Sequence, residues 1–376
     1  MVSDKEIARR IGAIKERMRG KGLQALIVFS QVILGEKGAV RYISNYRLLT
    51  RKDYLVLSLT GDPVLIVPTL GQQISAMKTS WIQDVRSGGD TEGMIREVAN
   101  KIRTGGLEKG TIGIVGLLSS MPHHDYELLK KELPEVSFTD SSELLDGIRA
   151  VKSPEEIEMV RATTDITDSC YDLLLDIIRP GIDEREIMAE INKLLTLKGV
   201  EDTLILTSKG RSFPCFISPP GPYVFQDGDH YVFSIEISGP SGYWSQIVRP
   251  LCLGKASLSY ERMFEAGNKA LKKGVSNLMP GRRISDVVRI VYDEIRKAGF
   301  KTGLWCGHGM GMDLGDNLGL FENNQIELKE GMIITVHPHI LSLDSKEGLL
   351  FGDTFVVGKE EGQNFSRTVC ELKCIQ

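Results

Sequence analysis

Apolar positions in the first third of the chain switch between a spacing of three to four and short unbroken runs, which predicts helices alternating with strands. Residues 7–21 have helical spacing, and residues 25–29 form an apolar strand. Residues 54–59 and 63–68 read as two strands flanking the turn Thr60-Gly61-Asp62. A strand at 112–115 and a helix at 126–132 follow. The pattern predicts an α/β domain with a mixed sheet that closes near Arg149. Ser153-Pro154-Glu155-Glu156 then opens a helix, with an N-cap side chain, a proline at the first helical position and acidic residues in the first turn. The boundary is placed there, giving domains 1–150 and 151–376.

The second part echoes itself. Arg179-Pro180-Gly181-Ile182 opens a helix that runs to about Lys198, and Met279-Pro280-Gly281-Arg282 opens another that runs to Ala298, so Pro280 lies 100 residues after Pro180. A helix precedes each Pro-Gly turn, at 157–178 and 259–278. Two copies of this length do not make a solenoid, whose periods are about 20–50 residues. They predict two pseudo-symmetric halves sharing one sheet, with the cleft between them as the natural site.

Composition narrows the class. A chain of 376 residues exceeds one ordinary core, and 41% hydrophobic with 26% charged residues is usual for a globular protein. A net charge of −4, without a dense Lys/Arg cluster interleaved with aromatics, argues against nucleic acid. No apolar run approaches the roughly 20 residues that span a bilayer, and Met1-Val2-Ser3-Asp4-Lys5 begins an amphipathic helix rather than a signal peptide. No membrane association and a cytoplasmic location are therefore expected. The six cysteines are scattered without a CxxC pair, which suits reduced thiols and argues against finger-type zinc.

Three segments carry the candidate chemistry. They are residues 235–249, with Glu236, Trp244, Gln246 and Arg249; Gly307-His308-Gly309-Met310-Gly311; and residues 331–338, ending in His337-Pro338. Each resembles a segment of the creatinase, aminopeptidase P and prolidase family. Val40-Arg41-Tyr42-Ile43-Ser44-Asn45-Tyr46 and Lys152-Ser153-Pro154-Glu155-Glu156 resemble its N-terminal domain and the entry into its second domain. The resemblance covers nearly the whole chain. It implies a creatinase-like N-terminal α/β domain followed by a pseudo-two-fold pita-bread domain, α/β (α+β) in class, and a homodimer.

Peptidases of that family hold two metal ions through two aspartates, one histidine and two glutamates, and the metals activate a bridging water. Matched position by position, the first aspartate falls on Glu236, with Ser234 competing, and the second on Gln246. The histidine is His308, and the glutamates fall on His337 and Gly352. Two hard cations need several bridging carboxylates, so the expectation is no cofactor. The alternative is a single divalent metal held by His308, His337 and Glu236 or Asp353.

The resemblance to creatinase implies hydrolysis of a C–N bond in a small carboxylate-bearing molecule. Its histidine base falls near Ile217 or Ser218 here, so the acid and base are reassigned to His308 and His337, with Glu236 beside them. Arg51 is the candidate for holding a substrate carboxylate. Gln246, Trp244, Tyr223, Phe216, His339 and Asp353 are further candidates for contact with substrate. Cys306, two residues from His308, is either a nucleophile or a buried small hydrophobe. Two other readings stand beside this one: an Xaa-Pro aminopeptidase or dipeptidase, and a non-catalytic binding protein on the same fold.

Overall fold

A computed structural model describes residues 2–211 and 217–376, and the chain divides into two compact units, Met1–Arg149 and Ala150–Gln376. Phe216 lies outside the described residues.

The first unit runs α1 (Asp4–Gly20), β1 (Ala25–Gln31), α2 (Gly38–Ser44), β2 (Lys52–Ser58), β3 (Val64–Val67), α3 (Leu70–Thr79), β4 (Asp84–Ser87), α4 (Thr91–Thr104), β5 (Thr111–Val115), α5 (His123–Glu132), β6 (Ser137–Asp140) and α6 (Ser142–Arg149). Among the described residues its strands form one mixed six-stranded sheet in the order β4-β3-β2-β1-β5-β6. Alternate residues of β1 and β2, among them Ile27, Phe29, Tyr54 and Val56, pack with Met94, Val98 and Ile102 of α4. The period of two in the strands and of nearly four in the helix brings these apolar faces together.

The second unit begins with α7 (Pro154–Ile177) and α8 (Glu184–Leu197), then β7 (Asp202–Gly210), β8 (His230–Ser238), β9 (Trp244–Leu253), α9 (Leu258–Val275) and α10 (Ile284–Lys297). It continues with β10 (Lys301–Thr302), β11 (Gly307–Met310), β12 (Leu314–Gly319), β13 (Ile333–Val336), β14 (His339–Leu341), β15 (Gly348–Leu350), β16 (Gly352–Val357), β17 (Gly362–Asn364) and β18 (Lys373–Ile375). The Ser153 hydroxyl accepts from the Glu156 amide while the Glu156 carboxylate accepts from the Ser153 amide, a capping box that fixes the start of α7. The repeated Pro-Gly turns precede α8 and α10, and Gly181 and Gly281 sit at φ 89° and 83°, where a side chain would be strained. The two helix pairs α7/α8 and α9/α10 are thus built alike.

Their common platform is a nine-stranded sheet among the described residues, in the order β12-β11-β13-β16-β9-β8-β7, with β17 on β16 and β18 on β9. Phe233, Ile235, Ile237 and Ile247 pack in one apolar cluster with residues of α7 and α8, and Ile334, Val336, Phe355 and Val357 in another with residues of α9 and α10. Register then decides what is left for the opposite face. Glu236 pairs with Gln246, Ser234 with Val248, Gly352 with Val248, and Thr335 with both Thr354 and His308. Directly opposed residues project to the same side. Ser234, Glu236, Gln246, Thr354, Thr335 and His308 therefore share the face turned away from the helices. A buried ion pair, Lys152 to Asp316 at 2.6 Å, joins the entry of the unit to β12.

Candidate functional site

Glu236 sits mid-strand in β8, buried, and its Oε1 accepts from Gln246 Nε2 at 2.8 Å. The same amide nitrogen reaches Ser234 Oγ at 3.3 Å. The Gln246 main chain is tied to Thr354, whose hydroxyl accepts from the Gln246 amide at 3.0 Å and donates to its carbonyl at 2.9 Å. These bonds fix the amide next to the carboxyl group.

His308 approaches from β11. Its Nδ1 lies 3.0 Å from the Gly309 carbonyl, an acceptor only, so this nitrogen carries the proton and Nε2 presents a lone pair. That Nε2 is 3.9 Å from Glu236 Oε2. His337, at the end of β13, stands edge-on to His308 with ring centroids 5.3 Å apart. Its backbone amide donates to the Cys306 carbonyl, which sets the ring against its neighbour.

Burial governs the charge of this cluster. It pushes the Glu236 carboxyl up to about 8 and lowers His308 below the usual imidazole range. His337 falls to about 3 through burial first, then through its neighbours His308 and His339. At neutral pH the acid holds its proton and both imidazoles are neutral. Three buried polar atoms of this cluster have no hydrogen-bond partner: Glu236 Oε2, Gln246 Oε1 and His337 Nδ1. Each such atom costs about 1–3 kcal/mol, and all three belong to one patch. A protonated carboxyl beside a free imidazole nitrogen supplies a proton donor and a proton acceptor within a few ångströms, the equipment of acid–base hydrolysis.

The other predicted site residues are placed as follows. Trp244 is buried, two residues from Gln246 on the same strand face, and its amide donates to the Gly311 carbonyl at 2.8 Å. Asp353 is corrected: it pairs with Ile247, so it projects to the helix side of the sheet, where Arg249 binds it at 2.6 Å. Tyr223 is corrected too. Its hydroxyl donates to Asp229 at 2.9 Å, and its ring stacks edge-on with Phe225 in the cluster under α7 and α8. His339 Nδ1 accepts from the Leu304 amide at 2.9 Å, a bond that holds the loop before β11. Arg51 belongs to the first unit, exposed at the start of β2, with φ 63° and its carbonyl accepting from the Val32 amide. Cys306 is fully buried, and burial raises its thiol to about 12, so it is the small hydrophobe and not a thiolate.

The chain belongs to metallopeptidase family M24: the model of that family matches residues 158–359, and that of the creatinase/prolidase N-terminal domain matches residues 10–151. This membership makes the protein a hydrolase of the M24 type. An Xaa-Pro dipeptidase of Lactobacillus helveticus is 26% identical over 346 residues, covering 89% of this chain and 92% of that one. The Xaa-Pro dipeptidase of Bacillus anthracis superposes with a TM-score of 0.83 at 20% identity, covering 98% and 100% of the two chains. The prolidase of Pyrococcus horikoshii OT3 gives 0.82 at 23% identity, covering 97% and 99%. Both structures share the pita-bread architecture with its creatinase-type N-terminal domain.

Membership in a metallopeptidase family overturns the expectation of no cofactor. The donors of this cluster do not fit a two-ion centre. Among the described residues no group of three or more His, Cys, Asp or Glu is arranged to hold a metal ion. Glu236 is the carboxylate in the cluster, Gln246 supplies an amide beside it, and Asp353 is committed to Arg249 behind the sheet. Two neighbouring cations need more negative charge than this.

Proposed function

We propose that this protein hydrolyses a C–N amide bond in a small molecule, with Xaa-Pro dipeptides as the substrate class. The observation that carries the reading is the convergence of three unpartnered buried polar atoms, on Glu236, Gln246 and His337, beside the free Nε2 of His308. Such a patch is completed by a polar ligand. In this reading His308 Nε2 takes the proton of the attacking water and protonated Glu236 donates to the departing nitrogen. Gln246 holds Glu236 in place. The dipeptidase names of the relatives supply the substrate class. A dipeptide-sized substrate, a homodimeric assembly and a cytoplasmic location belong to the same proposal; no described helix is long and apolar enough to cross a membrane.

The test is hydrolysis of a panel of Xaa-Pro dipeptides by the full-length protein, after chelation and after separate addition of Mn(II), Co(II) and Zn(II). Release of proline under any of these conditions supports the reading, and its absence under all of them rejects it. The carboxylate-poor cluster favours a second reading, creatinase-like cleavage of a C–N bond in another small carboxylate-bearing molecule. Turnover of guanidino acids or N-acyl amino acids, with none of dipeptides, would select it.

A further inference from the structure

The loop after β12 brings an aromatic ring to the side of the sheet that carries the polar cluster. His308 and Gly319 are directly opposed in the antiparallel pair β11–β12, so a side chain at Gly319 would leave the sheet on the same face as His308. That place is taken. A Cβ built on Gly319 would lie 2.1 Å from Cε2 of Phe321, which means that the Phe321 ring covers the bare glycine beside His308. The ring is not enclosed: Phe321 is 46% exposed, and it meets Trp305, 49% exposed, edge-on at 5.8 Å and 84°. Trp305 precedes Gly307-His308 by two residues and so belongs to the segment that positions the imidazole.

Two large aromatic groups left half in water beside a buried polar patch are an incomplete apolar contact, since each gains when an apolar group covers it. A small-molecule site combines a few polar groups with such apolar walls. We propose that Phe321 and Trp305 form an aromatic wall at the edge of the site that receives the apolar side chain or ring adjoining the scissile bond, and so set substrate preference. This rests on the amide-hydrolase reading above. The polar cluster engages the amide, and the wall selects what is attached to it.

The experiment compares wild type, F321A, F321L and W305F as full chains, each checked for unchanged circular dichroism. The ratio of kcat/KM for Leu-Pro to that for Gly-Pro is measured, because one apolar group in such a pocket is worth about 10–200-fold. The expected result is a roughly tenfold or larger fall of this ratio in F321A, expressed in KM, with F321L restoring most of it. Binding is followed separately by tryptophan fluorescence with leucinamide and glycinamide as probes. Leucinamide is expected to shift the emission of wild type and to lose that effect in W305F. If no dipeptide is cleaved but leucinamide still reports on Trp305 and loses affinity in F321A, the function proposed above fails while the wall stands. An unchanged preference ratio together with no leucinamide response overturns the wall. So does a change of oligomeric state in F321A with the ratio preserved, which would assign the two rings to a contact between copies.

Discussion

Glu184 and Glu236 are both enclosed side chains serving opposite faces of the same sheet, yet their surroundings differ in kind. Glu184, at the start of α8, accepts from the Thr207 and Tyr231 hydroxyls and from the Gly221 amide, and is ion-paired with Lys209. All of its oxygen lone pairs are used to fasten α8 and the loop at Gly221 to the sheet. Glu236 receives one bond from Gln246, has Oε2 unpartnered, and has no cation beside it. A satisfied buried carboxylate holds structure together, whereas one left half-satisfied is stabilised by whatever ligand completes it.

The sharpest way to break this contrast is to neutralise each glutamate in turn. E236Q keeps shape and a hydrogen bond to Gln246 but removes the transferable proton, so turnover should fall by about 10²–10⁴ with the fold intact. Steady-state kinetics with near-UV circular dichroism checks it, and a loss below tenfold would remove Glu236 from the chemistry. E184A should do the reverse. It strands Lys209 and several donors, and a loss of about 3–5 kcal/mol of stability is expected in urea unfolding.

Glu236 also leaves a signature in the pH dependence of stability. The Glu236 carboxyl is raised from 4.5 to about 8 in the folded protein, so folding holds a proton that the unfolded chain releases. Its contribution is fully present below pH 4.5 and is lost as pH rises through about 8, at about 1.4 kcal/mol per pH unit in between. E236Q removes this dependence. Its stability relative to wild type should therefore climb from pH 4.5 to 8 and then level off, as read by thermal denaturation across pH; parallel curves would refute the assignment. The smallest effect concerns the frame alone. S153A removes one arm of the capping box at the head of α7 and should cost about 1 kcal/mol, without altering the Leu-Pro to Gly-Pro ratio.

Local chemistry made much of this legible in advance. The capping box at Ser153 and the two Pro-Gly turns are short-range signals, and they locate α7, α8 and α10. The alternation along β9 puts Trp244 and Gln246 on one face without knowledge of the partner strands, whereas Glu236 joins them only through the register of β8 against β9. Asp353 was misplaced because its side depends on how β16 registers against β9, a pairing of segments more than a hundred residues apart. Tyr223 was misplaced for a local reason: its hydroxyl is taken up by Asp229, six residues on. Phe321 gave no sequence signal at all. Its position beside His308 follows from the missing side chain of Gly319, which only the folded pairing reveals. The cofactor expectation failed differently, since counting carboxylates read the donor set and not the ancestry that family membership supplies.

Arg249, behind the site, is gripped by residues far downstream: it donates to Asp353, Ser366 and Thr368, while Ser366 and Thr368 donate to Asp168 on α7, 198 and 200 residues before them. During synthesis the guanidinium gains its countercharge only when Asp353 has cleared the ribosome, and the hydrogen-bonded clamp closes only after residue 368 has done so. A message cut short before Asp353 leaves a bare cation in the middle of the sheet, and its product is expected to be a polypeptide for chaperones and proteases rather than a less active enzyme.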